Sequence, residues 1–266
     1  MAPATAQGIG DLLREWRNRR HLSQLEVALD SAVSARHLSF VETGRSQPSR
    51  ELVLHLCEQL EVPLRERNTL LLAAGYAPAY EETALDDESM TPVRSALERL
   101  LASHEPFPAA VVNRRWEVLL ANGPGLAVMS DGVAPELLAP PVNALRVTLH
   151  PDGLAPRIEN LAEYSAHLMM RLRREEILSQ EPALAELRAE MLSYPGVEDP
   201  ASAAVEPAEL LFVPLRIRRA SDGVPLSFFN TISTLGTALD ITLSELAVES
   251  LFPADESTAA ALRDDA

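Results

Sequence analysis

Short helical segments, each cut to length by its own end signals, fill residues 8–75 and commit that stretch to an all-helical module. The second begins at "SQLE", where Ser23 as N-cap and Glu26 three residues later form a capping box. The third, predicted over 35–43, takes Ser34 as N-cap and Gly44 as its stop. The first covers about 8–20, with Ile9, Leu12, Leu13 and Trp16 recurring on one face. A fourth at about 50–60 precedes a fifth at about 63–74, which has Pro63 near its first turn and Gly75 at its end. Five such helices fill a domain over 1–76.

Beyond it the pattern changes twice. "APAYEETALDDESMTP" (77–92) has few large apolar residues, two prolines and an acidic excess, and reads as a linker before a helix at about 93–103. After Phe107, "AAVVN" and "WEVLLAN" read as two strands joined at Arg114–Arg115. Helical segments follow, including about 159–178 and 182–193, and strand-like runs at 210–219, 224–234 and 246–252 close the chain. Two strands, a helical insert and three strands predict an α+β domain over 93–266, with a five-stranded, mostly antiparallel sheet.

Composition narrows the function classes. With 266 residues and 47% apolar side chains, the chain can build two real cores. No apolar run approaches the roughly 20 residues needed to cross a bilayer, and the N-terminal charges follow small residues, the reverse of a signal peptide. Cys57 is the only cysteine, which suits a reducing cytoplasm. The formal net charge of −16 argues against a polyanion partner until it is located. Residues 1–80 hold nine arginines against nine acids, while residues 81–266 hold fourteen against thirty. The acidity therefore belongs to the C-terminal part and leaves the helical module free to meet DNA.

The second and third helices are joined by "DSAV", a tight connection of the helix-turn-helix kind. In that motif the second helix enters the major groove with its N-terminal residues at base edges. Those positions hold Ala35, Arg36 and His37, with Ser39 and Phe40 one turn on. Arg36 can donate two hydrogen bonds to guanine, worth about 1–3 kcal/mol of discrimination, and Ala35 suits a thymine methyl. Ser34, Gln24, Arg45 and Arg50 sit where donors meet phosphates. One short helix covers few base pairs, so a homodimer on a palindromic double-stranded operator is expected.

"SQLEVA…VSARHLSFVETGRSQPSRELVLHLCEQL" resembles the helix-turn-helix of the XRE (Cro/repressor) family, and the string continuing through "VPLRERNTLLLAAGYAPAY" is similar to its MmyB-like branch. The resemblance implies that Gln24 caps and touches phosphate, that Arg36 and its neighbours read bases, and that Arg17 pairs with Glu42 as a structural brace. One departure is Ala32, where the family commonly has glycine in a left-handed turn; alanine there costs roughly 1 kcal/mol. "HPDGLAPRIENLAEY", "LLFVPLRIRR" and "PLSFFNTISTLGTALDITLSELAVESLFPADEST" are similar to the MmyB-like ligand-binding domain. That implies a PAS-like fold around a small lipophilic ligand such as a fatty acid.

The residues are compatible with such a cavity. Leu226, Phe228, Asn230 and Ile232 alternate onto one strand face, expected to be the buried one. Trp116, Val118 and Leu120 alternate likewise, as do Leu211, Val213, Leu215 and Ile217, and Leu161, Tyr164, Leu168 and Leu172 line one side of the long helix. Candidate ligand contacts are drawn from these rows, without Leu211 and Ile217. Asn230 interrupts an apolar row, either to bond neighbouring backbone or to anchor a ligand head group. The histidines show no metal-ligand spacing, and there is no phosphate loop and no nucleophile elbow, so neither an enzyme nor a cofactor is expected beyond a bound apolar ligand. Two other readings differ in kind: a C-terminal domain used only for dimerisation or partner binding, or an antitoxin-like protein whose acidic half masks a basic partner.

Overall fold

The computed structural model describes residues 8–179, 181–199 and 213–264. It divides into two compact units, one running through Thr83 and including Thr237–Ser244, the other taking Ala84–Gly236 and the chain from Glu245 on.

The first unit holds α1 (Ile9–Arg19), α2 (Gln24–Asp30), α3 (Ala35–Glu42), α4 (Arg50–Gln59) and α5 (Leu64–Ala73). The expected capping box at Ser23 and Glu26 is formed, and Ser34 and Ser49 accept from the third backbone N–H beyond them. Leu13, Trp16, Val41, Val53, Leu56, Cys57 and Leu71 make the core. Burial in that core pushes the Cys57 thiol up to about 12, so it packs as an inert apolar group. Gly10 lets α1 touch α3, for a Cβ there would stand 2.4 Å from the Val41 carbonyl oxygen. Ala32 does occupy the left-handed region, at φ 52°.

The linker expected over 77–92 is in part an arm of this unit. Asn68 on α5 accepts from the Ala79 N–H at 2.8 Å and donates to the Tyr80 carbonyl at 2.8 Å, and Arg65 pairs with Glu82 at 2.5 Å. Residues 237–244 lie between the last two strands in sequence yet belong here. The Ile241 N–H bonds the Glu81 carbonyl at 2.8 Å, and Asp240 accepts from Thr83 at 3.1 Å and from Leu243 at 3.2 Å.

The second unit contains α6 (Thr91–Ser103), β1 (Ala109–Val112), β2 (Val118–Ala121), α7 (Gly123–Ser130), α8 (Ala144–Leu149), α9 (Leu161–Ser179), α10 (Pro182–Leu192), β3 (Leu215–Arg218), β4 (Pro225–Thr234) and β5 (Ala247–Pro253). A helix at Glu256–Asp264 follows. All five strands join one antiparallel PAS-like sheet in the order β2-β1-β5-β4-β3. Phe228, Leu145, Leu149, Met169, Leu172, Leu184 and Met191 are fully buried between that sheet and the helices. Asn122 ties α6, β1 and α7 together: its amide donates to Leu101 and Phe107 carbonyls and accepts from the Ala109 and Gly125 N–H groups.

Two of the predicted rows are broken. On β4, Leu226 and Phe228 are buried but Asn230 and Ile232 are exposed. The strand is ten residues long and its second half is exposed, so alternation continues past the core. Trp116 stands before β2 rather than in it, at φ 62°, and is buried where Val118 and Leu120 are half-buried. Leu211 lies outside the described residues.

Candidate nucleic-acid interface and ligand cavity

On α3 one face is locked and the other is open. Leu38, Val41 and Glu42 are buried, while Arg36 is exposed and Ala35, His37, Ser39 and Phe40 are half-buried. The lock is ionic. Arg17 on α1 grips Glu42 with both ends of its guanidinium, at 2.7 and 2.9 Å, and the Gln24 amide donates to the same carboxylate at 2.7 Å. The Glu42 side chain is 1% exposed. Burial opposes its charge, but the hydrogen bonds from Arg17 and Gln24 and the charges of Arg17 and Arg14 outweigh that and hold the carboxyl below its usual range. The structural pair implied by resemblance is thus present, and Gln24 is part of the same brace, half-buried at the start of α2.

At the open face, the Ser34 side chain caps α3 through the His37 N–H at 3.1 Å. Arg36 and Arg45 both lie over the Phe40 ring, 5.3 and 6.0 Å from its centroid. Arg45 follows Gly44, whose φ of 69° turns the chain back, and the Arg45 and Ser46 N–H groups both bond the Phe40 carbonyl. Arg50 is exposed at the start of α4. The fold therefore gathers Ser34, Ala35, Arg36, His37, Phe40 and Arg45 on one open surface.

In the second unit a cavity of about 120 Å³ opens between the sheet and the helices. Of the candidate ligand contacts, Trp116, Val118, Tyr164, Leu168, Leu215 and Asn230 line it. Leu172, Val213, Leu226 and Phe228 are buried core away from it, Leu120 and Leu161 are half-buried elsewhere, and Ile232 is 46% exposed. Periodicity identifies a buried face but not which part of that face is left unfilled. The lining also includes Val112, Met129, Ala144, Leu145, Arg171, Glu249 and Leu251, which the apolar rows did not name.

Arg171 and Glu249 make the cavity amphipathic. Arg171 lies 4.2 Å above the Trp116 ring, pairs with Glu249, and has Glu175 at 3.4 Å. Trp116 donates its indole N–H to Glu175 at 2.7 Å, and Asn230 donates to Glu249. Burial pushes the Glu175 carboxyl up, against the charge of Arg171 and the bond from Trp116. Burial likewise lowers His167. A signal for these positions was available: Arg171 is seven residues after Tyr164 and Glu175 seven after Leu168, so they continue the same helical stripe. Among the described residues no cluster of His, Cys, Asp and Glu could hold a metal, and no helix is long and apolar enough to cross a membrane.

Comparison with known proteins agrees with both halves. Residues 93–264 match the family model of the MmyB-like transcription regulator ligand binding domain, and residues 9–70 match a helix-turn-helix domain. The transcriptional regulator ClgR from two Mycobacterium tuberculosis strains is 35% identical over 82 residues, covering 31% of this chain and 70% of the relative. A domain that reads DNA and a domain with an amphipathic cavity are thus carried on one polypeptide, and the chain belongs to the MmyB-like transcription regulators, a DNA-binding rather than an enzymatic family.

Proposed function

We propose that the protein acts in the cytoplasm as a homodimer on a palindromic operator, and that a lipophilic small molecule such as a fatty acid enters its cavity and changes that binding. The division of α3 carries the reading. Its inner face is fixed by Leu38, Val41 and the Arg17–Glu42 pair, so the outer face is presented in one orientation. Arg36 reads guanine, His37, Ala35, Ser39 and Phe40 shape the contact around it, and Ser34, Arg45, Arg50 and the Gln24 end of α2 set the register against phosphates. Two such helices meet successive major grooves about 34 Å apart, which makes the operator symmetric.

The cavity supports the sensing half. A void of about 150 Å³ lined by apolar side chains takes up benzene, so 120 Å³ accepts a group of about that size as it stands. A longer chain runs out past Asn230, which is exposed at the rim, or parts the lining, gaining roughly 0.8 kcal/mol for each methylene buried. Asn230 is held by a side chain, Glu249, rather than by neighbouring backbone.

The test begins with an operator selected from random duplexes by the full chain. Arg36→Ala is expected to lose discrimination at one base pair per half-site, about 1–3 kcal/mol, with the fold intact. Arg45→Ala should weaken all sequences alike and flatten the salt dependence by about one unit. Unchanged discrimination in Arg36→Ala overturns the assignment of α3. Failure of every lipophilic probe to bind overturns the sensing half and leaves a DNA-binding regulator whose second domain only assembles.

A further inference from the structure

The polar end of the cavity has one cation, Arg171, and one carboxylate, Glu249, and the cation is already used. The Arg171 guanidinium meets Glu249, Glu175 and the face of Trp116. Glu175 is further held by the Trp116 indole and Glu249 by Asn230, so the cation and the N–H donors that could welcome an acid are occupied by acids of the chain itself. In the lining, the Tyr164 hydroxyl is left over. Tyr164 lines the cavity, is only 8% exposed, and its hydroxyl has no hydrogen-bond partner among the described residues. Lining the cavity, that hydroxyl is free to bond a ligand there.

Resting on the reading that the cavity takes a lipophilic molecule, we propose that the ligand's polar end donates hydrogen bonds and carries no negative charge, with the Tyr164 hydroxyl and the Glu249 carboxylate receiving it. A fatty acid bound here keeps its proton. An alcohol, amide or amine on the same chain fits without rearranging Arg171, whereas a carboxylate must displace Glu249 or Glu175 from it and leave an uncompensated buried charge. The apolar walls then measure the chain, and the polar floor selects the head group.

Three probes with one chain length separate the possibilities: 1-octanol, octylammonium and octanoate, titrated at neutral pH into the full-length protein by calorimetry. Octanol and octylammonium are expected to bind, and octanoate about tenfold more weakly or worse. Glu249→Gln should narrow the ratio between octanol and octanoate. Glu136→Gln, an exposed acid outside the cavity lining, should not, although each changes the net charge of −16 by one. Tyr164→Phe should weaken octanol about fivefold, the loss of one hydrogen bond. Should Glu249→Gln fail to fold, the wild-type ranking and Tyr164→Phe decide. Octanoate binding as well as octanol, a ratio untouched by Glu249→Gln, or full octanol affinity in Tyr164→Phe overturns the head-group inference while the cavity reading stands. Binding by none of the three overturns both.

Discussion

Glu42 shows how much rests on one carboxylate. It is buried at the end of α3, and Arg17, Gln24 and Arg14 from two other helices converge on it. Because the folded carboxyl is held below its usual value of 4.5, its stabilisation is fully present above that pH. The contribution is lost as the pH falls further, through the depressed folded value. Glu42→Ala leaves the Arg17 guanidinium, 12% exposed, without its partner, and should cost about 3 kcal/mol. Hydrogen exchange at the α1 and α3 amides checks this: protection in the wild type should drop on acidification below pH 4.5, and the variant should lose protection already at neutral pH and show little further change. An unchanged exchange rate at neutral pH would show that the brace is dispensable.

Elements show where sequence reasoning reaches and where it stops. Helix ends were legible because each is a local transaction: Ser23 with Glu26, Ser34 with His37, Gly44 at its positive φ. Close approach between elements is different, since it depends on residues far apart in sequence. At Gly10 the Val41 and Glu42 carbonyl oxygens would stand 2.4 and 2.7 Å from an added Cβ, and backbone on both sides cannot yield. Gly10→Ala should therefore pry α1 from α3, cost roughly 1–3 kcal/mol and weaken operator binding by tilting the reading helix. Gly8→Ala, with nothing within 4 Å, is the control that should do neither. Thermal melts and anisotropy on the operator measure both effects. The cavity was half legible for the same reason. Tyr164, Leu168 and Val118 announce themselves as apolar on a periodic face, but Arg171 and Glu249 read as solvent-facing charges until they are seen to satisfy each other across α9 and β5. Asn230 and Ile232 extend the row into its exposed part, because the length of β4 is written in the sequence and the extent of the buried face is not.

At the scale of the whole molecule, the chain does not simply run from a reader to a sensor. It passes from the first unit to the second at Thr83, returns for Thr237–Ser244, and leaves again at Glu245. The returning segment is the connection between β4 and β5, the two strands that bring Asn230 and Glu249 to the cavity. Its anchor is Asp240, which accepts from the Thr83 and Leu243 N–H groups. On the proposed reading, a ligand that changes how β4 and β5 sit at the cavity acts on a segment that belongs to the DNA-binding unit. Coupling between two sites is a free energy and is reciprocal, typically 5–150-fold in affinity. Asp240→Ala touches neither the cavity lining nor the α3 surface, so affinity for operator alone and for octanol alone should stay within about twofold of wild type, as for a surface change remote from both sites. What should shrink is the effect of saturating octanol on operator affinity, and by the same factor the effect of operator on octanol affinity. Equal coupling in the variant would mean that ligand and DNA communicate without the segment, and a change in either single affinity would mean that Asp240 supports a site directly.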